Sequence, residues 1–245
     1  MTISIRAQGL PAAVVAGRRD RLTGTALMTG SAAANQLGAA TAALAFPVLG
    51  PAGVVAIRQW VAGAVLLTTV RPRFTSFTRA QWRPVVALAL IFATMNLSLY
   101  LAIDRIGLGL AVLAAACWAG YILVNRVVGV RLPGSQGPAA AASLSALLYV
   151  PVGIWVLTSH PVTAVALGRA ATAGLLCSAV PMVADLLALR RVPARFFGVF
   201  MSVNPVFAAL TGLAVLGQPL AVVDWLAIGA IVTANAVSVS TGSRV

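Results

Sequence analysis

The amino-acid sequence predicts an all-α, polytopic membrane protein of about eight transmembrane helices, and three observations carry that prediction. Of the 245 residues, 60% are apolar and 9% charged, whereas a soluble domain carries about 25% charged residues. The mean hydropathy is correspondingly high, +0.99. Apolar runs follow one another along the chain, each near the ~20 residues that cross ~30 Å of hydrocarbon. The arginines sit in short clusters between those runs, which is the charge pattern of membrane proteins.

The elements follow in order. Residues 1–25 are polar and basic, with Arg6, Arg18, Arg19 and Arg21, and read as a cytoplasmic tail. Spans are expected at 26–44, 51–70, 84–103, 109–128, 138–157, 170–189, 196–216 and 220–240. Pro47, Gly50-Pro51, Pro133-Gly134, Gly137-Pro138, Pro161 and Pro219 punctuate the loops between them. One alternative touches the first span: Arg18-Arg19 before it and Ala43-Leu44-Ala45 at its end also fit a cleaved leader. The remaining topology is the same either way.

Orientation follows from the arginines. With the N-terminus inside, fourteen arginines fall in inside segments, while Arg105 and Arg169 fall outside and Arg58 lies within the second span. Both termini are therefore expected on the cytoplasmic side of a bacterial inner membrane. A net charge of +13 raises nucleic acid as a partner, but the arginines form no single basic face. The expected partners are the bilayer, a small-molecule substrate and, in some arrangements, a second copy of the chain.

Enzymatic chemistry finds little support. Cys117 and Cys177 lie singly in apolar runs, and the sole histidine, His160, sits in a Ser-His-Pro loop. There is no P-loop, no H-E-x-x-H and no G-x-S-x-G with a usable His. No cofactor or metal is expected, and without an ATP site any transport is secondary.

An internal repeat organises the chain. Leu101-Ala102-Ile103-Asp104-Arg105-Ile106 recurs as Leu187-Ala188-Leu189-Arg190-Arg191-Val192, and Gly50-Pro51-Ala52 recurs as Gly137-Pro138-Ala139. The first copy of the longer motif ends outside and the second inside, so the two units have inverted topology, an architecture of transporters. Residues 26–108 then form a first unit of three helices and 109–245 a second unit of five. The first unit reads as having lost its fourth and fifth helices, with Gly107-Leu108-Gly109-Leu110 as the scar.

Several stretches carry a family resemblance. Ala114-Ala115-Ala116-Cys117-Trp118-Ala119-Gly120-Tyr121-Ile122 resembles the opening of a second EamA domain. Ser178-Ala179-Val180-Pro181, Leu186 through Arg195, and Phe197 through Pro205 are similar to its later helices. Met95-Asn96-Leu97, Ala102-Ile103 and Arg105-Ile106 resemble the end of that family's third helix. The phrasing is similar to the threonine/homoserine exporter branch of the drug/metabolite transporter superfamily, over roughly residues 26–245. The resemblance implies an inverted-repeat fold of ten helices, here 3+5, and export of amino acids or related small metabolites. It also implies departures: acids common in the family stand here as Asn204, Gln218 and Asp185. A degenerate, non-transporting paralogue or an assembly partner is the alternative function, and a membrane enzyme a remote one.

Polar residues inside spans are functional candidates because they are costly there. Arg58 either holds a substrate carboxylate by a two-pronged pair or snorkels to the outer interface. Asp185 either binds a substrate amine or relays a proton, or it pairs at the surface with nearby arginines. Asn96 and Tyr100 share a helix face at i, i+4, and Trp118, Tyr121 and Asn125 form a stripe at i, i+3, i+7. Both sets face a central cavity or serve helix packing. Asn204-Pro205 and Pro181 free backbone carbonyls that can line a site. Asn35, Gln36 and Asn235 are candidates for bonds between helices.

Overall fold

A computed structural model of the chain describes residues 18–105, 108–219 and 221–241. Its helices are α1 (Arg18–Ala43), α2 (Phe46–Val70), α3 (Arg79–Arg105), α4 (Leu108–Arg131), α5 (Gln136–Leu148) and α6 (Val150–Ser159). They continue with α7 (Ala164–Gly174), α8 (Val180–Leu189), α9 (Ala194–Phe200), α10 (Asn204–Leu216) and α11 (Val222–Thr241). A π-helical turn, Leu175–Ala179, joins α7 to α8, and a 3-10 turn, Met201–Val203, joins α9 to α10. No strand occurs among the described residues. Most of the expected basic tail, Arg244 and the expected scar at Gly107 lie outside them.

Among the described residues, five segments are long and apolar enough to cross a membrane: Phe46–Val70, Arg79–Ala102, Val112–Arg131, Ala164–Leu189 and Ala194–Leu216. The pair α5–α6 makes a sixth, bent by 46°. The bend falls just before Pro151, whose ring removes a backbone donor and crowds the preceding turn. α1 and α11 stand where the other two expected spans were placed. α1 is long enough but carries Arg19, Asp20 and Arg21 in its first turn and Asn35-Gln36 midway. The described apolar part of α11, Val222–Ala234, is short.

Boundaries differ from the sequence expectation in physically simple ways. α1 begins at Arg18, so the end of the expected tail is helical. α2 begins at Phe46 and bends at Gly50, whose φ of 64° is left-handed, directly before Pro51. It ends at Arg71, also left-handed, before a proline.

α2 is the central helix and packs against α3, α5, α6 and α7. α1 lies along α7, α8 and α10, and α3 pairs with α4. Lipid offers helices no hydrophobic reason to associate, so close van der Waals packing between small residues holds such a bundle. Ala139, Ala140, Ala141 and Ala142 of α5 are fully buried. A Cβ on Gly63 would lie 2.8 Å from Ala146 Cβ, and one on Gly53 would lie 2.7 Å from Val156 Cγ1. Further close approaches surround the π turn. A Cβ on Gly174 would meet the Arg58 carbonyl oxygen at 2.9 Å, and one on Gly38 would meet Cys177 Sγ at 2.4 Å. The π turn is thereby held between α1 and α2.

Candidate functional site

A cavity of about 240 Å³ lies among α1, α2, α3, α4, α8 and the start of α10. That is below the ~300–1,000 Å³ of pockets for drug-sized ligands, and suits a small metabolite. Arg58, Asn96, Tyr100, Trp118, Tyr121, Asp185 and Asn204 all line it. Residues far apart in sequence are thus gathered from both halves of the chain.

Arg58 reaches the cavity from the middle of α2 and is only 3% exposed. Its Nη2 donates to Asn96 Oδ1 at 3.0 Å, Ser178 Oγ at 3.1 Å and the Cys177 carbonyl at 3.3 Å. The last two acceptors belong to the π turn, and π turns inside α-helices are frequent at functional sites. Asn96 is oriented for this contact because its Nδ2 donates to the Phe92 carbonyl at 2.7 Å. Tyr100 lies under the guanidinium, 4.7 Å from ring centroid to Cζ, a cation–π arrangement. All these partners are neutral, and Nε has none. Interior burial replaces the alternative of snorkelling to the interface.

Asp185 brings an acidic group to the same cavity and is 7% exposed. Ser31 Oγ donates to its Oδ1 at 2.6 Å and the Tyr121 hydroxyl to its Oδ2 at 3.2 Å. No arginine is among those partners, so a buried contact with Ser31 and Tyr121 stands in place of the alternative of a surface pairing. Tyr121 is itself stacked on Phe92, with centroids 6.0 Å apart.

Asn125 is the candidate that the structure does not bring to the cavity wall. It is fully buried one turn along α4, and its Nδ2 donates to the Tyr121 hydroxyl at 3.4 Å. It therefore stands behind the Tyr121–Asp185 contact. Asn35 and Gln36 line the cavity, whereas the side chain of Asn235 lies outside the described residues. Sequence reasoning missed Ser31, Cys177, Ser178 and Met201, all at or beside the site. Small or sulfur-bearing residues in apolar runs give no signal of their own. The spacing of Ser178 to Asp185, two turns apart on one helix, was the one available hint.

A second, shallower groove opens between α4 and α9–α10, lined by Ala115, Trp118, Ala119, Ile122, Gly198, Met201 and Asn204. Trp118, Met201 and Asn204 line both spaces, so these three form the boundary between them. Among the described residues no cluster of three or more His, Cys, Asp or Glu is placed to hold a metal ion.

Residues 105–240 match the EamA-like transporter family. The chain is 28% identical to the threonine/homoserine exporter RhtA of Escherichia coli K12, over 82% of this chain and 85% of that protein. It is 28% identical to the protein of the same name from Salmonella typhimurium SL1344, over 85% of this chain and 88% of that one. No solved structure matches the chain.

Proposed function

The chain belongs to the EamA-like transporter family, and we propose that it is a secondary exporter of amino acids, threonine- or homoserine-like, or of related small metabolites. One observation carries this reading. Two buried ionisable side chains of opposite type line one cavity, and among the described residues neither hydrogen-bonds the other or any other charged side chain. A buried charge without a counter-charge is costly, and a zwitterion supplies both counter-charges at once.

In this reading Arg58 receives the substrate carboxylate and Asp185 the ammonium group. Ser178, bonded to Arg58, and Asp185 are seven residues apart on one continuous helical segment, about 10 Å at ~1.5 Å per residue. Hydrogen bonds of about 2.8 Å at each end, with the short backbone of an α-amino acid between them, cover a gap of that order. Release on the far side follows from rocking one unit against the other about the site.

The same reading places the chain in a bacterial inner membrane with both termini cytoplasmic, on the strength of the arginine distribution. It keeps residues 26–108 as a first unit lacking two helices and 109–245 as the second. The Escherichia coli alignment supports the loss of a segment: it runs over 263 positions while taking in 82% of this 245-residue chain. The relatives therefore carry residues with no counterpart here.

The test is threonine and homoserine resistance in an exporter-deficient bacterium, with membrane level checked by blot. Resistance that is lost on Arg58→Ala and on Asp185→Asn is the expected result. Absence of resistance at normal membrane levels would overturn it and favour a non-transporting paralogue.

A further inference from the structure

The cavity holds two more polar groups without a partner among the described residues: the Tyr100 hydroxyl, on the ring under Arg58 where the carboxylate is received, and the side-chain amide of Asn204. Asn204 opens α10, is 8% exposed, and lines the cavity wall. Among the described residues its Oδ1 has no hydrogen-bond partner, and its Nδ2 meets only the weak acceptor Met201 Sδ, at 3.6 Å. An unpaired amide buried at this depth calls for a polar group from a ligand.

Neither charged group of the substrate is free to satisfy it. Resting on the proposed export of amino acids, Arg58 and Asp185 already engage the carboxylate and the ammonium. What remains is the substrate side chain. Asn204 lies at the boundary where the cavity meets the groove beyond Trp118 and Met201, a direction in which a side chain can extend. A hydroxyl suits this position in either orientation of the amide. It donates to Oδ1 as placed, and it accepts from Nδ2 if the amide is turned over.

We propose that Asn204 is the specificity residue of this site and selects amino acids bearing a side-chain hydroxyl over their apolar isosteres. A site built to hydrogen-bond a hydroxyl discriminates against the analogue lacking it, because its own polar group is then left unpaired. Apolar neighbours alone would not distinguish the two shapes.

The experiment is counterflow of radiolabelled threonine in proteoliposomes holding the full chain. Unlabelled threonine competes against valine, and homoserine against norvaline, each pair matched in shape. The intact protein is expected to prefer the hydroxylated member by about tenfold or more, the worth of one hydrogen bond. Asn204→Leu, of similar volume, is expected to bring both ratios to within about twofold of one. Equal competition within each pair by the intact protein would overturn the proposal, with no variant needed. So would a preference that survives in Asn204→Leu. A complete lack of counterflow with every amino acid would instead overturn the export reading, and this assignment with it.

Discussion

Ser31 Oγ on α1 donates a 2.6 Å hydrogen bond to Asp185 Oδ1 on α8, while Tyr121 on α4 holds the other carboxylate oxygen at 3.2 Å. Three helices, two from the second unit and one from the first, thus meet at one acidic group.

Hydrogen bonds to a charged group contribute about 1.5–3 kcal/mol each. Ser31→Ala is therefore expected to lower stability by about 2 kcal/mol, read as a reduced melting midpoint in detergent. Tyr121→Phe should do the same with its smaller, longer bond. A midpoint that stays put in both would mean the carboxylate finds its partners elsewhere.

Arg58 has the reverse character. It is desolvated and meets only neutral acceptors, so its presence opposes folding more than it assists. Arg58→Met should melt at the same temperature as the parent or higher, yet confer no threonine resistance. Site residues commonly trade stability for activity in this way. If the variant instead fails to accumulate in the membrane, Arg58 is a structural tie.

Two glycines on α1 separate packing from propensity. Gly38→Val would drive its Cβ into Cys177 Sγ and the Cys177 backbone nitrogen, 2.4 and 2.9 Å away. It is expected to cost about 3 kcal/mol or more by overpacking. Gly30 has nothing within 4 Å, and Gly30→Ala should gain about 0.5–1 kcal/mol from helix propensity alone. Measuring both midpoints side by side checks the pair, since a shift of like sign in the two would refute the α1–π turn contact.

Arg190 follows the end of α8 and reaches across to α4. Its Nη2 donates to the Leu132 and Gly129 carbonyls at 2.7 and 3.0 Å, and its Nε to Gly129 at 3.2 Å. A cation at the open end of a helix is favourable, and here it also satisfies carbonyls of the last turn. Arg190→Ala is predicted to lower stability by about 1 kcal/mol, given its exposure to solvent. Arg190→Lys should recover only part, because three acceptor contacts need the planar fork. Thermal unfolding of the three proteins tests the order.

Much of this arrangement is legible in the sequence because membrane spans make polar residues conspicuous. Arg58, Asn96 and Asp185 stand out against Val, Ala and Leu, and they meet in one cavity. What the sequence conceals is backbone irregularity. Nothing in Leu175-Leu176-Cys177-Ser178-Ala179 distinguishes a π turn from ordinary helix, because its cause is tertiary: Gly38 and Arg58 press on it from two sides. The bend of α5–α6 was half-visible, as Pro151 is apparent but proline alone does not fix where a helix breaks. Asn125 fell on the right stripe but one turn too far along, behind Tyr121 rather than beside it.

The π turn also makes the site a matter of counting. A turn of this kind holds an extra residue within a helical run, and α8 takes its rotational setting from that surplus. If the same residues were wound as regular α-helix, with nothing absorbing the surplus, everything after them would swing by about 100°. Asp185 would then face away from Ser31. Hydropathy and topology would both be preserved, so such a chain would insert normally and yet hold no acid in its cavity. Taking one residue out of Leu175–Ala179 along with the π turn would leave Asp185 where it is. In this fold, the winding of that segment is as much a part of the binding site as the identity of its residues.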